Sequence, residues 1–582
     1  MFTRSTLQLC ALCFVVLYPT CVEAGDSHIG RKISSFTLDN CYGRPVSLNE
    51  FSGKKAIVIA FLGTECPLAK LYGPRLDELE QTLGAKGLAV IGINSNKQDS
   101  LKELSSFVNQ QKLRFPMLKD PGNQVADAFS AKRTPEVFLL DKDFIVRYHG
   151  RVDDQYAVGI ARDEPQRSDL AEAISQLLAG QKVSVPETDV VGCHIGRVKE
   201  VQPTGQITYN KHIAPIFNDR CMRCHRNGEI APFNLTNYDD VLGWEDTILE
   251  VIDEGRMPPW FANPKHGEFA NDARLSEEQK DLICSWIENG MPEGDPDDLP
   301  PTPQFTAGWR IVEPDQIISM PKAFSVPAEG IVDYQHFVVD PGWTEDKYIV
   351  AVEARPQNPS VVHHILLYII PPGKTYENSR RILAGHAPGA PPLITPNGVA
   401  IKVLAGSRLV FQMHYTPNGY DQTDQSYAGI CFAKDPAKIK RELRGDAPAA
   451  DGRGDNDKLV IKPNENDQKF ECYSRSIRKD VILLSMTPHM HLRGKSFKYE
   501  LLNSNAEVVE TLLDVPAYDF NWQLKYVLKK PKLLRAGQRI KCTAVYDNSK
   551  NNLANPDPNK AVRWGRQSFN EMMIGFMDYI PL

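Results

Sequence analysis

The sequence predicts a multidomain chain: a layered α/β unit, then a small all-α unit, then two all-β sandwiches of jelly-roll type. Three observations carry this. Apolar runs such as KKAIVIAFLG and GLAVIGIN alternate with helically spaced segments in the first third. A Cys-x-x-Cys-His sequence, Cys221-Met222-Arg223-Cys224-His225, stands between two helical patterns near the middle. The remainder holds many short β-branched and aromatic runs between turn residues, with no long amphipathic helix. A length of 582 residues suits several domains, expected at 25–190, 191–298, 299–436 and 437–582.

Residues 1–24 read as an export signal. Arg4 supplies the positive start, Leu7 to Leu17 the apolar stretch, and Val22-Glu23-Ala24 a small-residue cleavage site before Gly25. The apolar stretch is too short to span a bilayer. Tyr18-Pro19-Thr20 before Cys21 is a poor match to a lipoprotein signal. The expected location is periplasmic or extracellular, with no membrane span. A net charge of −6 gives no electrostatic case for nucleic acid or an anionic membrane. Of 12 cysteines, Cys10, Cys13 and Cys21 leave with the signal. Beyond the Cys221/Cys224 pair, Cys41, Cys66, Cys193, Cys284, Cys431, Cys472 and Cys542 remain. That is an odd number in an oxidising compartment, so at least one is free or transiently paired.

In the first unit, LYGPRLDELEQTLGAKG and SLKELSSFVNQQ have helical spacing, and EVFLLDKDFIVRYHG reads as a hairpin. Cys66 falls where the first strand gives way to a helix. Backbone N–H groups there lower a thiol pKa, and the neighbouring Glu65 opposes them. The run resembles the thioredoxin and peroxiredoxin superfamily, and Thr134-Pro135 takes the place of that family's cis-proline facing the active cysteine. The site departs from the family's patterns. Ala69 stands where a dithiol member has its second cysteine, and Lys70 where a copper-delivering relative has one. Gly63 replaces the Thr or Ser of a peroxiredoxin. Cys66 therefore needs Cys41, Cys193 or another molecule to resolve a disulfide. The other reading is a fold retained for docking, with Cys66 a vestige.

The Cys221–His225 sequence is the attachment signature of c-type haem. Two thiols bond the porphyrin edge covalently and His225 lies under the iron. A zinc site would need a second Cys pair or a His pair soon after, and none follows. Met257, in EGRMPPWF, is the candidate second axial ligand, with Met291 and His266 as rivals and Met222 poorly placed. A thioether opposite histidine suits electron transfer. With the flanking patterns ITYNKHIAPIFNDRC and LSEEQKDLICSWIENG, the run resembles a small cytochrome c domain. PEGDPDDLPPTPQ then reads as a semi-rigid spacer, and ELRGDAPAADGRGDNDK as a solvated loop between the two β halves.

Histidines concentrate at three places in those halves: His363-His364 in SVVHHILLYII, His414 in RLVFQMHYTPNG, and His489 and His491 in LLSMTPHMHLRGK. Neighbours in a regular strand point to opposite faces, so His363 and His364 share a metal only if the backbone bends. His489 and His491, at i and i+2, share a face. Imidazole and thioether ligands without a carboxylate cluster suit copper. Taken in order, these landmarks resemble the copper type II, ascorbate-dependent monooxygenases that hydroxylate peptidylglycine and dopamine. The resemblance implies two coppers per chain. His363, His364 and His414 would hold the electron-storing ion; His489, His491 and Met572 would hold the one where oxygen is activated. On spacing alone Met573 or Met577 could replace Met572. The family's cysteine after the ligand methionine is Met573 here, so Cys542 pairs elsewhere, with Cys472 or Cys431 as candidates. The arginine that grips a peptide carboxylate in amidating members is Thr487 here, with Ile574 and Phe576 beside it. A buried carboxylate would be left unpaired there, which disfavours a glycine-extended peptide.

Hydroxylation of C–H by O2 takes two electrons and leaves one oxygen atom as water. The expected function is an exported copper monooxygenase fed through its own haem c, with an unknown small-molecule or peptide substrate and an external electron donor or redox protein. The competing readings are a haem and thiol electron-transfer protein with the β-domains as copper- or partner-binding scaffold, and a thiol peroxidase centred on Cys66.

Overall fold

A computed structural model describes residues 27–199, 203–305, 308–376, 381–387 and 390–582 of the chain. The expected signal at 1–24, with Cys10, Cys13 and Cys21, lies outside them. No described helix is long and apolar enough to cross a membrane.

The α/β unit is built on a five-stranded sheet, in the order Met117–Lys119, Leu88–Asn94, Ala56–Phe61, Glu136–Asp141, Val146–Gly150. The first three strands run parallel and the last two pair antiparallel as the expected hairpin. Ala56–Phe61 is buried at every position because it is covered on both faces. Ala56, Val58 and Ala60 enter one core with Cys66 and Tyr72, while Ile57, Ile59 and Phe61 enter the other with Phe129 and Phe138. The helices Pro67–Leu83, Leu101–Gln111, Gln124–Phe129 and Asp169–Leu178 accompany the sheet. Ser100 and Glu103 form a reciprocal cap that starts the second of them.

Between 209 and 288 the regular elements are helical: Tyr209–Ile213, Ala214–Arg220, Tyr238–Val241, Glu245–Asp253 and Glu277–Glu288. Trp286 is fully buried in their core with Tyr209, Phe217 and Trp244. Both ends of this region reach into its neighbours. Cys193–His194 pairs antiparallel with Arg133–Thr134 of the α/β unit. Trp260, Ala262 and Phe269 belong to the core of the last β-sandwich.

The rest of the described chain is mostly β-strand, in two pairs of sheets. In the first, a six-stranded sheet centred on Tyr427–Phe432 and Lys347–Arg355 faces the sheet Gln335–Val339, Arg408–Tyr415, Val362–Ile370, Arg381–His386. In the second, Arg444–Asp446, Ile574–Pro581, Val481–His489 and Tyr526–Leu534 face Gln468–Tyr473, Arg539–Tyr546, Gly494–Leu502 and Val508–Val515. In Val481–His489, Leu483 and Met486 point into the second core, whereas Ile482 and Leu484 pack on the first. One strand thus serves both sandwiches by alternation.

The stretch 442–458, expected as a solvated loop, differs. Arg441–Glu442 adds parallel to Val399–Val403 of the first sandwich, and Arg444–Asp446 pairs with Ile574–Pro581 of the second. Ala450 and Leu459 are buried in the second core. Small residues read as loop composition, but here they let the backbone thread between two sheets.

Candidate functional site

His364 ends up directly across from His414, on the neighbouring strand. The register of that pairing shifts between Val362 and His364, a bulge that re-aims His363. Consecutive histidines therefore reach one place, and ligand nitrogens of His363, His364 and His414 all lie within 4.8 Å of one another. The Nδ1 atoms of His363 and His364 are 3.2 Å apart. His363 donates to the Asn521 carbonyl, and His414 Nδ1 is buried without a partner. Burial pushes the His363 pKa down to about 4 and those of His364 and His414 well below the usual value. Three neutral rings with converging lone pairs are costly without a cation. They fit a soft-to-borderline metal such as copper.

The second cluster lies at the end of Val481–His489. The His489 and His491 rings are 5.2 Å apart and perpendicular. His489 Nδ1 lies 2.6 Å from Gln523 Oε1, and His491 Nδ1 lies 3.3 Å from the Asn570 carbonyl. Both partners accept, so each Nδ1 carries the proton and each Nε2 is left as the ligand atom. His491 Nε2 is buried with no partner. Met573 and Met577 are packed in the sandwich core, whereas Met572, also buried, lies outside that cluster. Met572 follows Asn570 and Glu571, and Glu571 accepts the backbone N–H groups of His491 and Arg493 at 2.9 and 2.7 Å. Thr487 and His489 sit opposite Phe576 and Ile574 across the strand pair.

Sequence reasoning missed the groups between the two clusters. The Tyr334 ring is 4.9 Å from His414, 5.7 Å from His364 and 6.5 Å from His491. Its hydroxyl is buried and unpartnered. Phe520 lies 5.8 Å from His414 and 5.9 Å from His491. The two clusters thus face each other across two aromatic rings, one from each sandwich. A cavity of about 290 Å³ opens beside Phe520 and Asn521, with Phe261 and Gly159 on its other walls. No sequence signal marks Tyr334, Phe520 or Gln523, because only the folded sheets bring them to the histidines.

Around the Cys221–His225 sequence, the N–H groups of Cys224 and His225 bond the Cys221 carbonyl, making one tight turn. Both cysteines are free thiols. His225 Nδ1 lies 3.1 Å from the Phe233 carbonyl, which leaves Nε2 as the ligand atom. These residues fit a covalent haem. Met291 is buried in the helical core and Met222 is also buried, at 5% and 2% exposure. His266 sits in a turn beside Asn263, which bonds Asp514 of the last sandwich. Met257 is half-buried just past the helix Glu245–Asp253.

Cys66 caps the helix Pro67–Leu83 and is 1% exposed. Its Sγ lies 2.9 Å from the Thr134 carbonyl, next to the cis Thr134–Pro135 bond. Glu65 is turned away in an ion pair with Lys70. Burial pushes the Cys66 thiol up, but hydrogen bonds from Cys193 and from the Ala69 and Cys193 backbone outweigh it and hold it at about 6. The Cys193 thiol is pushed well up by Cys66 and by burial. Cys472 and Cys542 are cross-strand partners in the last sandwich.

Residues 29–149 match the AhpC/TSA family. The chain is 29% identical over 115 residues to the thiol-disulfide oxidoreductase ResA of Bacillus thuringiensis subsp. konkukian, 20% of this chain and 65% of ResA. It is 31% identical over 119 residues to the chloroplastic peroxiredoxin Q of Sedum lineare, 19% of this chain and 62% of that protein. It spans at most 65% of the length of these curated relatives. A crystal structure of the hypothetical protein SMc02350 from Sinorhizobium meliloti 1021 is 30% identical, covering 29% of this chain and 94% of that one with a TM-score of 0.27. The family match includes Cys66 and Thr134-Pro135 and ends before Cys193 and the remaining domains.

Proposed function

We propose, from the premise that residues 29–149 are a thioredoxin- and peroxiredoxin-like redox domain of the AhpC/TSA family, that the whole chain is an exported copper monooxygenase. It would hydroxylate a C–H bond with O2 and draw its two electrons through a haem c held by Cys221, Cys224 and His225. The observation that carries this is the convergence of His363, His364 and His414, with ligand nitrogens within 4.8 Å. Copper bound there and at His489, His491 and Met572 would supply one-electron storage and oxygen reduction. A haem held there would supply a one-electron relay, and Met257 is the thioether that would help to hold it.

The chain's own residues do the rest. Gln523 and the Asn570 carbonyl keep the His489 and His491 tautomers fixed. Tyr334 and Phe520 keep bulk water from the space between the clusters. Phe576, 6.0 Å from His489, and Ile574 make the neighbouring wall apolar. No cation stands at the Thr487 position, so the substrate presents no carboxylate there. The cavity beside Phe520 is the candidate entrance.

A reading confined to thiol chemistry accounts for Cys66 but leaves five histidines in two facing clusters without a role. The test is copper per haem in haem-loaded protein reconstituted with copper. About two coppers per chain, falling by one in His489→Ala, is the expected result. Intact haem with no copper would sink the proposal. Met572→Ala should abolish turnover while haem reduction survives.

A further inference from the structure

The segment 192–196 lies over Cys66 as a bound peptide would. Cys193 pairs antiparallel with Thr134, the residue before the cis-proline, and His194 with Arg133. The approach is close: a Cβ on Gly192 would come within 2.1 Å of the Thr134 carbonyl oxygen, so only glycine fits there. Cys193 packs against the core that contains Cys66, and Cys66 Sγ lies 2.9 Å from the carbonyl of Thr134, the residue that Cys193 pairs with. Among the described residues both are unbonded.

We propose that Cys66 and Cys193 form a reversible dithiol–disulfide centre whose oxidant is a disulfide-bearing protein. Cys66 thiolate attacks one sulfur of the partner disulfide; a mixed disulfide forms and the partner's first thiolate leaves, taking a proton. Cys193, losing its proton, then attacks Cys66 Sγ; the Cys66–Cys193 bond forms and the partner's second thiol leaves. One thiolate and one thiol are oxidised and one disulfide is reduced by two electrons; Cys193 supplies one proton to the leaving thiols, and solvent, to which Cys66 had released its own, supplies the other. The centre deepens the thiol-redox character of residues 29–149 and depends on neither copper nor O2.

Disulfide rather than hydroperoxide follows from the space at Gly63, where a peroxiredoxin carries its Thr or Ser. A Cβ there would meet Asn96 Nδ2 at 2.5 Å and Thr134 Oγ1 at 3.1 Å. No hydroxyl side chain fits beside Cys66 without moving Asn96. The resolving cysteine also lies outside the family match, on the segment that leads into the helical domain. His194 next to it bonds Glu250 of the helix Glu245–Asp253 at 2.7 Å, so the oxidised centre would be anchored beside the haem domain.

The test is oxidised glutathione added to the full-length, haem-loaded protein, followed by alkylation of remaining thiols and peptide mapping. The expected product is a Cys66–Cys193 cross-link, reversed by dithiothreitol. Cys193→Ser should stop at a stable glutathione adduct on Cys66, and Cys66→Ser should give neither cross-link nor adduct at Cys193. Both thiols still alkylatable under excess oxidant, or a Cys66–Cys41 cross-link, would overturn the proposal. If Cys193→Ser loses its haem spectrum through misfolding, the native protein in graded dithiothreitol buffers decides, because it needs no variant. Failure of the copper reading leaves this result untouched.

Discussion

At the residue scale, the candidate copper sites are defined by atoms that burial leaves unsatisfied. His414 Nδ1 and His491 Nε2 are buried nitrogens without partners, and an isolated buried polar atom costs about 1–3 kcal/mol. The partners on the opposite side of each ring decide which nitrogen is free. Gln523→Ala removes the acceptor that holds His489 Nδ1–H, at 2.6 Å. Copper affinity at the second site should then fall about 10–100-fold with the first site unchanged, read by chelator competition. Equal weakening of both sites would mean Gln523 acts on the fold rather than on His489. The residue types at both sites were legible in the sequence, since five histidines gathered in three short stretches are hard to explain otherwise. The groups that orient them were not. Gln523 lies 34 positions from His489, and Asn570 lies 79 from His491. Neither carries a chemical signature that singles it out from other amides.

At the scale of elements, the sequence stated the condition for His363 and His364 to share a metal, a bent strand, without showing that the bend exists. Nothing in SVVHHILLYII marks a bulge, because the extra residue is defined only by the register against Arg408–Tyr415. The two-residue strand Cys193–His194 was equally invisible, being too short for any period. Its hold comes from Glu250, which accepts from Arg133 at 2.6 Å, His194 at 2.7 Å and Arg256 at 2.5 Å. Burial pushes the Glu250 carboxyl up, but Arg133 and His194 outweigh it and hold it at about 2. Because the folded value lies below the unfolded one, this contribution is full above about pH 4.5 and is lost as pH falls toward 2. Glu250→Gln should cost about 1.5–3 kcal/mol at neutral pH. It should also flatten the fall of the thermal midpoint between pH 5 and 3, where the unfolded chain's carboxyl takes up its proton while the native one, held at about 2, stays charged. A variant with the same acid slope as the native protein would show that Glu250 does not hold the strand. The same variant should speed glutathione capture at Cys66, since the covering strand would peel more readily.

At the scale of the whole molecule, an α/β unit followed by mostly β-strand regions could be read from the sequence, but which distant stretches pack together could not. The expected cut at 298 separates residues that the structure packs together. Trp260 lies 4.9 Å from the Tyr526 ring and Phe269 lies 5.4 Å from it, inside the last sandwich. Phe269 also forms a β-bridge with Leu528, and Asn271 Oδ1 accepts from the Val527 N–H at 3.0 Å. The pattern FANPKHGEFANDA gives no strand or helix period, so its partner is set entirely by tertiary packing. The loop that follows Met257 is therefore a structural part of the sandwich that carries His489 and His491, which ties the Cys221–His225 region to the His489/His491 cluster mechanically. Trp260→Ala should remove about 3–5 kcal/mol from the C-terminal sandwich, as expected for a buried aromatic. A fragment of residues 255–582 should accordingly unfold at a clearly higher temperature than one of 299–582, which exposes Tyr526 and the edge at Val527–Leu528. Calorimetry of the two fragments checks this directly. Equal midpoints would make the 258–274 segment a passive strap. Unequal midpoints, with Trp260→Ala in the longer fragment falling to the value of the shorter, would establish that the loop after Met257 and the second sandwich fold as one piece.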